Sequence, residues 1–363
     1  MQTTELRQVI CPLRHRGSRR VIGTLCCAAL LAAIAAFSRP MPAAAVTKAE
    51  DDFRLVEVAS GIYAAIATDT GIASGNSGFI IGDDGVVVVD TTLTPEAAEE
   101  LIGAIKAHTS LPIRFAVNTH YHLDHSGGNQ VFAEMGVPII GQERMRPWVA
   151  TKNLQFIPPP DQMRKVRNDA AKKLAEIPAD QKQQGAPLER RIRQLDALLK
   201  LKLTPPSVTY PPDGGITLYL GNRKVVLFSL PGHTGGDTVV SVPDAGVVFT
   251  GDLGWRKTLP NLVDATVSEW IPTLSTLVTR YPNAKFVPGH GDVAAAGDLR
   301  EFQGYLEDLR TTVQQAVNDG LTLEQTAERF KLPEKYQGFA FQNFVKPDLE
   351  NMYKEIKGTK KAN

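Results

Sequence analysis

Apolar positions along the chain fall into two alternating periods. Short runs rich in Val, Ile and aromatics, bounded by Gly, Asp and Asn, mark strands at 53–58, 61–68, 77–81 and 86–90. Gly82-Asp83-Asp84-Gly85 closes the last two into a hairpin. Val86-Val87-Val88-Val89 is apolar at every position, so that strand is expected to be covered on both faces. Thr94-Pro95-Glu96 then combines a capping hydroxyl, a first-turn proline and an acid at the positive helix end, and predicts a helix to about residue 107. A strand at 113–118 leads into a polar loop, and a short helix at 129–134 ends at Gly136.

Pro158-Pro159-Pro160 interrupts this order. Residues 161–203 are charged, with helical spacing at Leu188, Ile192, Leu195, Leu198 and Leu199, and Pro205-Pro206 and Pro211-Pro212 close the segment. Strands of the earlier kind then resume at 216–220 and 224–230 across Gly221-Asn222, and at 238–242 and 246–250 across Asp244-Ala245. A helix at 268–280, a strand at 285–287 and helices at 299–318 and 323–330 follow, the last opened by the capping box Thr322 to Gln325. Two strand-rich halves with helices outside predict an α/β protein of the α+β type, with two sheets packed face to face. The expected organisation is one domain over 46–300, holding a helical insertion at about 141–212, with a helical extension at 301–363 packed on it.

The first 45 residues read differently. Arg7, Arg14, Arg16, Arg19 and Arg20 precede an apolar run at 21–37, and Ala43-Ala44-Ala45 follows, the pattern of a cleaved secretory signal. Ser18-Arg19-Arg20 also fits a twin-arginine signal. The expected location is therefore periplasmic or secreted, with no stable membrane association after cleavage. The segment carries six Arg and one Glu, so the net +1 of the chain leaves about −4 on the mature part, a poor charge for a nucleic-acid binder. Cys11, Cys26 and Cys27 all lie in the leader, so the mature protein has no disulfide, thiolate ligand or Cys nucleophile.

Six histidines remain, and five follow strands. His120, His122 and His125 share one window with Asp124; His233 sits in Pro231-Gly232-His233-Thr234, Asp252 in Thr250-Gly251-Asp252 and His290 in Pro288-Gly289-His290-Gly291. Residues two apart in an extended segment point the same way, so His120 and His122 can serve one metal while Asp124 and His125, beyond a turn, face a second. His108, at the end of a polar helix, reads as structural.

The motif His120-Tyr121-His122-Leu123-Asp124-His125, with His233, Asp252 and His290 at increasing distance, resembles the metallo-β-lactamase superfamily over roughly 53–300. That resemblance implies a four-layer αβ/βα sandwich of two mixed sheets and two zinc ions per chain. It assigns the first metal to His120, His122 and His233, the second to Asp124, His125 and His290, and a bridging role to Asp252. Asp124 is also the candidate catalytic carboxylate, and Asp90 the candidate acceptor fixing an imidazole. Pro260-Asn261-Leu262-Val263-Asp264-Ala265 resembles the stretch before the last ligand in true metallo-β-lactamases, which makes Asn261 a candidate oxyanion contact and Arg256 or Lys257 candidates for a substrate carboxylate. The antibiotic-resistance enzymes of that type use Cys where this chain has Asp252, so the wider hydrolases, lactonases and thioesterases included, are the nearer pattern.

The implied function is an exported binuclear zinc hydrolase of a small-molecule cyclic amide or ester, β-lactam or lactone. The alternatives are a glyoxalase-type thioester hydrolase and a mononuclear iron persulfide dioxygenase. The complete ligand set, His125 and His290 included, argues against the one-metal alternative.

Overall fold

A computed structural model describes residues 52–360 of the chain. The expected leader lies outside the described residues.

Seven strands form the first sheet in sequence order: β1 (Phe53–Ala59), β2 (Ile62–Ala67), β3 (Ser77–Ile81), β4 (Val86–Val89), β5 (Ile113–Val117), β6 (Ile139–Gln142) and β7 (Val208–Tyr210). The first four pair antiparallel and the last four parallel. The second sheet holds β8 (Gly215–Leu220), β9 (Arg223–Ser229), β10 (Thr238–Val242), β11 (Val247–Trp255) and β12 (Lys285–His290), in the order β12-β11-β10-β9-β8. Only β11 and β12 run parallel in that sheet.

The helices are α1 (Pro95–His108), α2 (Leu123–Ser126), α3 (Asn129–Glu134), α4 (Met145–Thr151), α5 (Pro160–Ala175), α6 (Ala186–Leu198), α7 (Val267–Arg280), α8 (Ala296–Asn318), α9 (Leu323–Arg329) and α10 (Val345–Ile356). Thr94 caps α1 as expected, its hydroxyl accepting from the Ala97 amide.

Three apolar interiors separate four layers. Val86 and Val88 pack with Leu101, Ile105 and Phe132 of the outer helices, while Val87 and Val89 face Leu227, Val240 and Phe249 of the other sheet. This alternation explains why β4 is apolar throughout: one face meets helices and the other meets the second sheet. On the far side, Val248 joins Trp270, Leu274, Leu306 and Leu349 from α7, α8 and α10. The expected αβ/βα sandwich is therefore the observed one.

Some boundaries differ from the reading of the sequence. Residues 141–212 are not wholly an inserted segment, because β6 and β7 pair with each other in the first sheet. The helical part is the connection between two neighbouring strands, and each of those strands is too short to show a period. Strand β11 does not stop at residue 250 but continues to Trp255, and α10 has no counterpart in the expected elements.

The C-terminal helices are part of the same compact unit. Asp348 on α10 is buried and accepts from the Tyr305 hydroxyl at 2.9 Å and the Leu262 amide at 3.3 Å. Burial pushes its carboxyl well above the ordinary range, against the lowering effect of those donors and of Lys360. A raised folded pKa gives stability that is complete below the unfolded value near ~3.9 and is lost as pH rises through the folded value. The urea midpoint of the protein should therefore fall as pH rises above the ordinary carboxylate range, and Asp348→Asn should flatten that fall. Parallel slopes in the two proteins would remove Asp348 as the cause.

Candidate metal centre

The site lies where strands of both sheets end. After β5, Asn118 still pairs through its amide with the Ile140 carbonyl, and the chain then turns through Thr119-His120-Tyr121-His122 into the single turn α2. His125 is within α2, and Asn118 holds its carbonyl from the side chain at 3.0 Å. Asp90, the residue after β4, takes a left-handed conformation with φ 59°. Asp tolerates this better than most residues. Its carboxylate accepts from the Thr119 amide and hydroxyl, both at 2.7 Å, and from His125 Nδ1 at 2.9 Å. The candidate role of Asp90 as an imidazole acceptor thus has a geometric basis.

Asp252 lies inside β11 at a break in its pairing with β12. Gly251 before it has φ 49°, and a side chain there would run into Thr119 at 2.3 Å. Gly289 lies still closer, since a Cβ on it would fall 1.8 Å from Asp252 Oδ1. The two glycines let the strands approach until the carboxylate reaches the histidines.

All seven candidate ligands meet. His120, His122, His233 and Asp252 form one group, and Asp124, His125 and His290 another, with the donor atoms of each group within 4.8 Å of one another. Asp252 addresses both. Its Oδ2 is 3.2 Å from His233 Nε2 and 3.8 Å from His120 Nε2; its Oδ1 is 3.2 Å from His125 Nε2 and 3.6 Å from His290 Nε2. His122 turns Nδ1 inward, 3.0 Å from His233 Nε2. Asp124 Oδ2 lies 3.2 Å from His290 Nε2.

The donor chemistry fits cations. His120 Nε2, His125 Nε2 and Asp252 Oδ1 are buried and hydrogen-bond to nothing among the described residues. Such orphaned polar atoms are costly in a protein interior unless something else satisfies them. Burial pulls the pKa of His120 and His233 down, which leaves neutral imidazoles with free lone pairs. Burial opposes ionisation of Asp252, yet the surrounding imidazoles, His290 first, hold its carboxyl well below the usual range. His125 shows the opposite balance. Burial works against its proton, but Asp252, Asp124 and Asp90 together draw positive charge to it. A field that favours a proton at that point favours a metal cation there as well.

Asp264 was missed as a functional residue, although it sits within the 260–265 stretch. Its Oδ2 accepts from His122 Nε2 at 3.2 Å and from the Tyr121 hydroxyl, and Lys152 lies 3.6 Å from Oδ1. The imidazole of His122 is thereby held with Nδ1 facing the site. Neither periodicity nor spacing pairs residues 142 positions apart. Asp264→Ala should weaken metal affinity about 10–100-fold, measured by competition with a chromogenic chelator. An unchanged affinity would leave Asp264 with a structural role only. His233 differs, because its Nδ1 has no hydrogen-bond partner among the described residues and the ring is fixed by Trp270, 5.2 Å away.

The substrate-contact candidates also have partners within the protein. Arg256 and Lys257 line a cleft of about 510 Å³ that also contains His290, but Arg256 Nε pairs with Asp298 at 3.3 Å and Lys257 Nζ with Glu301. The Oδ1 of Asn261 accepts from the Val263 amide in its own turn. His108 is structural as read, with Nδ1 bound to the Ala104 carbonyl and its ring against Tyr63 and Phe79.

The curated relatives include hydroxyacylglutathione hydrolases of Brucella ovis and Brucella abortus, 27% identical over 218 residues that cover 60% of this chain. The match spans 62% of the length of those relatives. Among solved structures, a metallo-β-lactamase from Pontibacter korlensis superposes with a TM-score of 0.52 at 22% identity, covering 70% of this chain and 99% of the other. DIM-1 metallo-β-lactamase, a structure exposed to ceftazidime, gives 0.51 at 17% identity, covering 72% and 99%. Residues 70–145 and 150–301 match the metallo-β-lactamase superfamily as a family. With that match extending over more than half the sequence, the chain belongs to the metallo-β-lactamase superfamily.

Proposed function

We propose that this chain is an exported binuclear zinc hydrolase acting on the carbonyl of a cyclic amide or ester, a β-lactam or lactone. The observation that carries the reading is Asp252, one buried carboxylate with an oxygen turned toward each donor group. A set of imidazole and carboxylate donors without sulfur suits zinc. Held by these residues, such ions would supply Lewis acidity and lower the pKa of a bound water.

The residues of the chain do the rest. Asp90 and Asp264 orient the imidazoles of His125 and His122. Asp124, on the open edge of the site, keeps an ionised carboxylate: burial opposes it, but His125 and His290 outweigh that effect. That carboxylate would itself serve as the proton acceptor during attack on the substrate. Export rests on the leader at 1–45.

A thioester is the second reading, and the likeness to hydroxyacylglutathione hydrolases favours it. The test is metal analysis of the mature protein followed by turnover of a lactone, a β-lactam, a thioester and a phosphodiester. About two zinc per chain with lactone or β-lactam hydrolysis supports the proposal. Thioester hydrolysis alone selects the second reading, and one iron per chain overturns both.

A further inference from the structure

Two exposed aromatic rings lie against the site, one at each donor group. Phe156 is 40% exposed, and its ring sits edge-on to His122 at 5.7 Å. Phe341 is 39% exposed, and its ring sits edge-on to His290 at 5.5 Å and near Trp255 at 6.3 Å. Neither belongs to the two sheets. Phe156 ends the single-turn helix Lys152–Phe156 in the connection between β6 and β7, and Phe341 lies in the C-terminal extension, beyond the residues matched to the family.

Phe341 is held there at a cost. Its φ is 60°, a left-handed conformation that a bulky side chain rarely adopts. Backbone bonds on its N-terminal side impose the position, with the Ala340 amide donating to the Lys257 carbonyl at 2.8 Å and the Leu259 amide to the Ala340 carbonyl at 3.0 Å. Glycine would fit this conformation without strain. Its ring packs edge-on against Phe344 at 6.0 Å as well as Trp255, yet a large apolar side chain that is strained, partly exposed to solvent and against a metal-site imidazole is unusual for packing alone.

We propose that Phe156 and Phe341 are specificity-determining residues forming apolar walls on either side of the site, and that the substrate carries an apolar acyl chain or aryl group rather than a small acyl group. The substrate class rests on the hydrolase reading above, but the apolar recognition does not require turnover. An apolar group entering between these walls leaves water and covers two rings that are otherwise wetted.

The test uses the metal-loaded mature protein and two probe pairs: acetyl and hexanoyl esters of the same alcohol for kcat/KM, and acetate and hexanoate for Kd by calorimetry. Wild type should prefer the hexanoyl member of each pair by roughly tenfold or more. Phe341→Gly and Phe156→Ala should each bring the ratio toward one, and Phe341→Gly should keep or raise the thermal midpoint because it relieves the left-handed strain. A purely structural role for Phe341 would lower the midpoint and leave the ratio alone, which would overturn the proposal for that residue. Equal affinity for acetate and hexanoate in wild type, or a preference that survives both substitutions, overturns the proposal. Preferential hexanoate binding with no turnover of the esters, nor of the lactone, β-lactam, thioester and phosphodiester named above, would instead sink the hydrolase reading and leave the apolar walls standing.

Discussion

His122→Ala should lower kcat/KM by about a thousandfold or more while the protein stays folded. The first donor group has four members, and His122 is the one whose Nδ1 closes on His233 Nε2. Its removal takes away one of the donors that would hold the first metal. Lewis-acid stabilisation is worth several kcal/mol, and each ~1.4 kcal/mol is a tenfold change in rate. The fold should survive, because His122 lies in the turn before α2 and belongs to none of the apolar interiors. Asp264 would keep Tyr121 and Lys152 as partners. Steady-state kinetics, zinc content and circular dichroism check the three statements. Full activity in a well-folded His122→Ala protein would refute the site as drawn.

Much of this was legible in the sequence because the relevant signals are local. The four Val of β4, the Thr94 cap and the charged amphipathic α5 and α6 follow from neighbouring residues alone. The ligand types were legible for the same reason, since His120, His122, Asp124 and His125 share one window after a strand and His233, Asp252 and His290 each sit beside glycine at a strand end or at a break in one. What stayed hidden depends on tertiary contact. Strands β6 and β7 have four and three residues, too few for a period, and are strands only because they complete the parallel edge of the first sheet. Asp252 reads as a residue after a strand; it is within one, and the close approach of Gly289 explains why pairing breaks there. Asp264 and Phe341 reach the site from far along the chain. Arg256 and Lys257 line the cleft beside His290, and their pairing with Asp298 and Glu301 depends on helix α8 packing beside them, which no local signal in the sequence shows.

Chelating the metal should abolish activity and lower the thermal midpoint by roughly 10 °C, with secondary structure retained. A ligand that binds only the folded state stabilises it by about 4 kcal/mol at a thousand times its Kd, and one kcal/mol moves the midpoint of a large domain by about 2–4 °C. The sign follows from the charges. Without cations, the carboxylates of Asp252 and Asp124 lie close to each other in the interior, and of the imidazoles beside them His125 holds positive charge while burial neutralises His120 and His233. Cations remove that repulsion and satisfy His120 Nε2 and His125 Nε2. The three apolar interiors do not depend on the site, so the chelated protein should keep its far-ultraviolet spectrum. Adding zinc back should restore both midpoint and activity. Magnesium should restore neither, because it demands oxygen ligands in octahedral geometry and five of the seven donors here are imidazoles. A midpoint indifferent to chelation would mean that the orphaned nitrogens are satisfied by water, and that the seven residues meet for some purpose other than holding metal.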